Sequence, residues 1–190
     1  MLETHTAIET IFYILKKIGP ADKIKLIKLV YLADKYHLLR YGRTVTGDEY
    51  FAMENGPVAS TLKDVLSFND IYLTEDERSY LESLIERGGD QNWFTSKEGG
   101  QCKFEMLSDT DKEALDFIID KFAHIGHWEL RDYTHDYPEW KQYEHLLKNR
   151  LVKRIRIKTE ELLSLLPNDV LSVPPEHLED SKKVLLGLYD

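Results

Sequence analysis

The 190-residue chain holds a single cysteine, Cys102. That excludes an intrachain disulfide framework and fits a reducing compartment, so the chain is expected in the cytoplasm. With no catalytic pattern beside it, Cys102 reads as a small hydrophobe in a strand. Long apolar runs are missing too. None approaches the roughly 18 residues of a membrane span, so no membrane segment is expected. The opening MLETHTAIET is acidic and polar, unlike the basic start and apolar stretch of a cleavable signal. The glycine motifs GxGxxG and GxxxxGKS/T, the GxSxG elbow and HExxH are all absent, and no internal repeat is visible. Adjacent carboxylates occur, as in Glu75-Asp76-Glu77 and Glu160-Glu161, but on predicted surfaces. Nothing here specifies a reaction. No catalytic residue, cofactor or metal is expected.

What is present suits a globular domain. The length fits one domain with a small appendage, and 42% hydrophobic residues suffice for a core. The net charge of −9 is uneven: residues 1–50 hold eight basic against six acidic side chains, whereas residues 51–150 hold 11 against 21. So acidic a middle disfavours broad contact with phosphate backbones.

Residues 22–58, DKIKLIKLVYLADKYHLLRYGRTVTGDEYFAMENGPV, organise the chain. At 100° per residue, Ile24, Leu26, Ile27, Leu29, Val30, Ala33 and Leu38 cover well over half a helix, which predicts a central helix over about 22–41 packed on several sides. Asp22 suits its N-cap and Gly42 its left-handed C-terminal stop. Asp34 and His37 fall inside the apolar arc, one turn apart. An isolated buried charge is too costly, so they are expected to pair, as a structural unit or as an acid/base pair lining a pocket. Lys25, Lys28 and Lys35 cluster on the opposite arc with Leu32 and Tyr36. That arc reads as a solvated face or as an outward docking surface for an acidic partner.

Around this helix, Ile8, Ile11, Phe12, Leu15 and Ile18 predict a first helix over 4–18, closed by Gly19-Pro20. A short strand is expected at 49–53. Asn55-Gly56-Pro57 makes a corner, with Pro57 in the first turn of a helix over 57–68. Thr74 and Glu77 form a capping box for a helix ending at Gly88-Gly89. Residues 91–107 read as a β-hairpin around Gly99-Gly100. Ser108 caps a helix over 109–124, and a short helix, a turn at Pro138 and a further helix follow. His124, His127 and His135 invite a metal reading, but their spacing is poor and neither a second cysteine nor HExxH supports it. RLVKRIRIK at 150–158 is the one nucleic-acid candidate, with an alternation suited to an edge strand. A helix starting at Thr159 and a C-terminal helix in HLEDSKKVLLGLYD end the chain, with Val184, Leu185, Leu186, Leu188 and Tyr189 as an apolar tail able to dock on the body or on a partner. The fold expected is mainly α (α+β), with small β elements at about 49–53 and 91–107. Residues 1–150 form the main domain, and 151–190 a helical extension packed on it.

Three blocks, KLIKLVYLADKYHLLRYG, TGDEYFAMENGPV and HWELRDYTHDYPEW, resemble the Panacea domain, the family of SocA-like antitoxins and phage-associated proteins. The matching positions are Lys25, Leu26, Lys28, Leu29 and Tyr31; Gly42; Tyr50 and Ala52; Gly56, Pro57 and Val58; and Leu130, His135 and Trp140. The resemblance covers about residues 8–145. Its positions Tyr31, Gly42, Tyr50, Gly56, Pro57, His135 and Trp140, joined by Asp34 and His37 of the buried arc and by Asn55 of the corner, make up the expected structural motif, with His135 or Asn55 expected to serve the buried Asp34. It implies an antitoxin of a type II toxin–antitoxin system. Such a protein blocks, by direct contact, a cognate toxin encoded by a neighbouring gene. The family's toxins include proteins that modify transfer RNA, make alarmone nucleotides or disturb membranes, and one branch hands its toxin to a cytoplasmic protease. The resemblance brings no cofactor or catalytic residue. Two other readings stay open: an enzyme built on Asp34, His37 and His135, and a nucleic-acid-binding regulator using 150–158.

Overall fold

A computed structural model describes residues 2–69 and 71–188, so Tyr189 of the expected apolar tail lies outside the described residues. The chain runs α1 (Leu2–Ile18), β1 (Ala21–Asp22), α2 (Lys23–Tyr41), β2 (Tyr50–Met53), β3 (Gly56–Ala59), α3 (Ser60–Val65), α4 (Glu75–Leu84), β4 (Ile85–Arg87), β5 (Trp93–Ser96), α5 (Asp109–Phe122), α6 (His127–His135), α7 (Pro138–Lys141), α8 (Glu144–Lys148), β6 (Arg154–Ile157), a 3-10 turn (Thr159–Leu163) and α9 (Pro175–Leu186). The fold is mainly α, with two small antiparallel sheets ordered β1-β5-β4 and β3-β2-β6.

Helix α2 is the axis. Every residue from Leu26 to Leu39 is buried, and α1, α5, α6, α9 and strand β3 all pack against it. A helix enclosed on all sides needs well-defined ends, because its terminal polar groups have no solvent to turn to. Asp22 accepts from Lys25 N at 3.0 Å. At the other end Gly42, at φ 71°, sends its N–H back to Leu38 O.

Several local expectations are corrected. Pro57 belongs to β3, opposite Ala52, rather than to a helix. As an edge strand β3 tolerates the missing N–H. The helix after it starts only at Ser60, and because its N-cap, Ala59, has no capping side chain, Asp48 reaches over to accept from Thr61 N and Leu62 N, both at 2.9 Å. Residues 91–107 do not fold back on themselves. Strand β5 is paired by β4 on one side and β1 on the other, so no edge remains for 101–107. Cys102 therefore sits outside any strand, 3.4 Å from the Tyr80 hydroxyl. Ile85 has left α4 to begin β4, and the helix expected from Thr159 is a 3-10 turn.

The chain beyond 150 is woven into the rest. Strand β6 pairs antiparallel with β2, Arg154 opposite Met53 and Ile157 opposite Tyr50. Helix α9 lies against the C-terminal part of α2, where Ser181 Oγ donates to Leu39 O at 2.8 Å. A Cβ on Gly42 would stand 2.5 Å from Val184 Cβ and 2.7 Å from Ser181 O, so glycine here serves both the left-handed turn and the close approach of α9.

Candidate docking cleft and the buried polar network

Helix α2 carries four polar side chains into the interior: Lys28 at 1% exposure, and Asp34, Lys35 and His37 at 0%. Each has to find its partners inside the protein.

Asp34 does not pair with His37. Its carboxylate accepts from Thr46 N at 2.9 Å, Thr46 Oγ1 at 2.5 Å and Tyr50 OH at 2.6 Å. Burial pushes it up to about 6, against the pull of those three hydrogen bonds. His37 bonds instead with Arg43 O at 2.8 Å and Thr110 Oγ1 at 3.0 Å, and lies 3.2 Å from Asp111. Burial lowers its pKa. One turn of separation had suggested a pair. The loop after Gly42 prevents it by bringing Thr46 and Arg43 between the helix and its surroundings.

The arc expected to face outward is enclosed, and this corrects the docking surface read from the sequence. Lys35 Nζ donates to Glu139 Oε1 at 2.6 Å, Leu162 O at 2.8 Å and Ser164 O at 2.5 Å. It also lies 4.3 Å from the Tyr137 ring centroid. Glu139 Oε1 accepts from Tyr31 OH as well, at 2.6 Å. Leu32 is fully buried, and Tyr36 stacks on Phe117 with centroids 4.2 Å apart. Lys25, half-buried, donates to Ala123 O at 2.6 Å. The reason is the width of the apolar arc: α5, α6, α9 and β3 all pack on α2 and bury it from Leu26 to Leu39, leaving only its first turn beside the open cleft.

The motif residues converge on the β2–β3 hairpin. Trp140 Nε1 donates to Met53 O at 2.8 Å. His135 stacks on Trp140, 3.7 Å between centroids and 11° between planes, and its ring donates to the backbone of the hairpin turn at Asn55. So His135 and Asn55 meet each other and leave Asp34 to Thr46 and Tyr50. The geometry also explains Gly56. At φ +98° it holds a conformation side chains resist, and a Cβ there would lie 2.5 Å from Lys28 Nζ and 3.1 Å from His135 Nε2. Those two nitrogens are poorly served. Among the described residues Lys28 Nζ has one acceptor, Pro57 O at 2.8 Å, and the buried His135 Nε2 has none. Burial depresses both, Lys28 well below its ordinary value with Arg131 adding to the effect, and His135 to about 4 with help from Lys28.

Lys28 forms part of the floor of a cleft of about 870 Å³. The cleft runs between the start of α2, the β2–β3 turn, the start of α6 and the link from α8 to β6. Ile24, Ile27, Val58, Leu147 and Val152 supply apolar wall, with Trp93 and Trp128 beside them. The remaining charges are lopsided: five cations (Lys23, Lys28, Lys63, Arg150, Lys153) against two carboxylates, Asp22 and Glu54. Asp22 is already engaged, capping α2 and lying 2.9 Å from His127 Nδ1. Lys23 is pulled down to about 8 by burial and by Lys63 and Arg87. Of the two indoles that line it, Trp93 is 46% exposed and Trp128 52%.

His124 is exposed, His127 faces Asp22 and His135 faces Trp140, and no metal-holding cluster of His, Cys, Asp or Glu forms among the described residues. In the basic run, Arg156 pairs with Glu49 and Arg154 covers the Phe51 ring at 4.9 Å. No described helix is long and apolar enough to cross a membrane. The sequence had no direct signal for Glu139, Thr46 or Asp48 as partners. A hint for the first exists in hindsight: Tyr31 and Lys35, one turn apart on a buried helix, both need an acceptor.

The family model described as "Antitoxin SocA-like, Panacea domain" matches residues 26–141, and the chain belongs to that family. Neither curated proteins nor solved structures give a match.

Proposed function

We propose that the protein is the antitoxin of a type II toxin–antitoxin system. It acts in the cytoplasm by binding a cognate toxin, encoded by a neighbouring gene, and carries out no chemistry of its own. The observation carrying this reading is the match to SocA-like antitoxins over residues 26–141, a stretch that includes most of the cleft's walls. We assign the contact to the mouth of that cleft. Exposed Trp93 and Trp128, with Arg150 and Lys153 lining the same cleft, give the mixture of aromatic area and basic charge found at interface centres and rims. Asp34, His37 and His135 belong to separate internal networks and do not converge, which favours binding over catalysis.

The test is co-expression with the adjacent reading frame. That frame alone should arrest growth, co-expression should restore it, and the two chains should co-purify. Trp128→Ala, at an exposed site, should weaken the complex. Growth restored without any complex, or restored only when a cytoplasmic protease is active, would replace blocking by contact with another route.

A further inference from the structure

We infer that the cleft is also a binding site for a free nucleotide: a flat heterocycle held against the tryptophan-bearing wall, with its phosphates on the cationic floor and rim. Four observations combine. The volume, about 870 Å³, falls in the range of sites for small organic ligands. Its wall is mostly apolar and carries two indoles, Trp93 and Trp128, and indoles offer the kind of face on which any base stacks.

Its charges are the third. Lys23, Lys28, Lys63, Arg150 and Lys153 gather here in a chain of net charge −9. Asp22 is engaged by Lys25 N and His127, and among the described residues only Lys63 of the five is ion-paired with a carboxylate, Asp64 at 3.6 Å. Lys28 is the sharpest sign. An ammonium has three donors, and this one is 1% exposed with a single carbonyl acceptor among the described residues. The fourth is helix α6. Its N-cap is Gly126, which has no side chain to cap the first amides, and His127 and Trp128 at that end line the cleft. An uncapped helix start favours a phosphate. On its own that would mean little; beside an under-partnered buried lysine it adds to the same charge preference.

A free nucleotide fits better than a nucleic-acid strand. Of the basic run 150–158 only Arg150 and Lys153 line the cleft, while Arg154 covers the Phe51 ring and Arg156 pairs with Glu49, and residues 51–150 carry ten more acidic than basic side chains. Phosphates flanking a bound base would meet a repelling surface.

The experiment uses the whole chain and needs no toxin. ATP, ADP, GTP and AMP are titrated by calorimetry, with adenosine, pyrophosphate and citrate as partial ligands and a short single-stranded oligonucleotide as the competing class. At least one nucleotide should bind one to one, about tenfold or more tighter than adenosine, pyrophosphate or citrate. Trp128→Ala and Lys63→Glu, both at solvent-accessible sites, should each weaken it about tenfold while leaving the melting temperature unchanged, a loss in the range expected for one stacked base. The inference is overturned if no nucleotide binds at millimolar concentration or if pyrophosphate or citrate binds as tightly. It is equally overturned if only the oligonucleotide binds, or if both variants leave affinity unchanged. One consequence rests on the antitoxin reading: a nucleotide in the cleft and a toxin across its mouth would compete. Because the titrations stand apart from the growth test, either result can fail without the other.

Discussion

Lys28 and Lys35 stand seven residues apart on one helix, two turns and so nearly on the same face. Both are buried. The ammonium of Lys35 has all its donors met by a carboxylate and two carbonyls, with an aromatic face beside it, and Glu139 ties it to Tyr31, although Glu139 Oε2 is itself buried without a partner among the described residues. Around Lys28 there is one carbonyl, a histidine nitrogen without a partner and a cleft. A buried charge with its full set of partners fixes the architecture. A buried charge left short of partners is kept for something other than stability, because an apolar side chain of equal size would hold the fold as well or better.

The largest break in this contrast should come from Lys35→Met. It strands the Glu139 charge and two carbonyl groups, and should cost about 3–5 kcal/mol in urea unfolding. Next is Asp34→Ala, which orphans the Thr46 amide and hydroxyl and the Tyr50 hydroxyl. It should cost about 3 kcal/mol. Stability equal to wild type would remove Asp34 from the organising network.

Asp34 also sets a pH dependence. Its folded pKa is raised, from 3.8 to about 6, so between those values the folded state binds more protons than the unfolded. Its contribution to stability is therefore complete below pH 4 and declines as pH rises to 6. The advantage of wild type over Asp34→Asn should shrink by about 2–3 kcal/mol between pH 4 and pH 7. His135 runs the other way over the same range. Its folded pKa is lowered, to about 4, so its share of stability grows with pH up to the ordinary histidine value.

Smallest should be Lys28→Met, within about 1 kcal/mol of wild type or stabilising. Since burial lowers the folded pKa of Lys28, the unfolded chain binds more protons below the ordinary lysine value, and wild type should gain stability as pH climbs towards it. The substitution should flatten that gain. A cost matching that of Lys35→Met would erase the contrast.

Much of the frame was legible in the chain. The apolar arc of α2, the stops at Asp22 and Gly42, the capping box at Thr74 and the cap at Ser108 are local signals, and the structure realises each of them. Family membership was legible for a related reason: the three quoted blocks are the residues that clamp helix, hairpin and corner together. What a sequence cannot carry is which long-range partner arrives. Asp34 and His37 sit one turn apart, yet each is served by residues 6 to 74 positions away. Pro57 was misplaced because its strand depends on Ala52, and residues 91–107 because β1 and β4 occupy both sides of β5. The lysine arc misled most. A row of cations on a helix reads as solvated until Glu139, Leu162 and Ser164 are seen to enclose Lys35. The cleft, assembled from five separated segments, left no mark in the sequence.

Strand β6 comes from beyond the matched family stretch, yet it is the outer neighbour of β2. A protease nick in the exposed stretch around Arg150 that released the tail would bare the backbone of β2 along four residues. Two such clipped molecules could zip together side by side. In the intact sheet β6 is itself the edge, and its exposed Arg154 and Arg156 are the kind of charge that discourages edge-to-edge pairing.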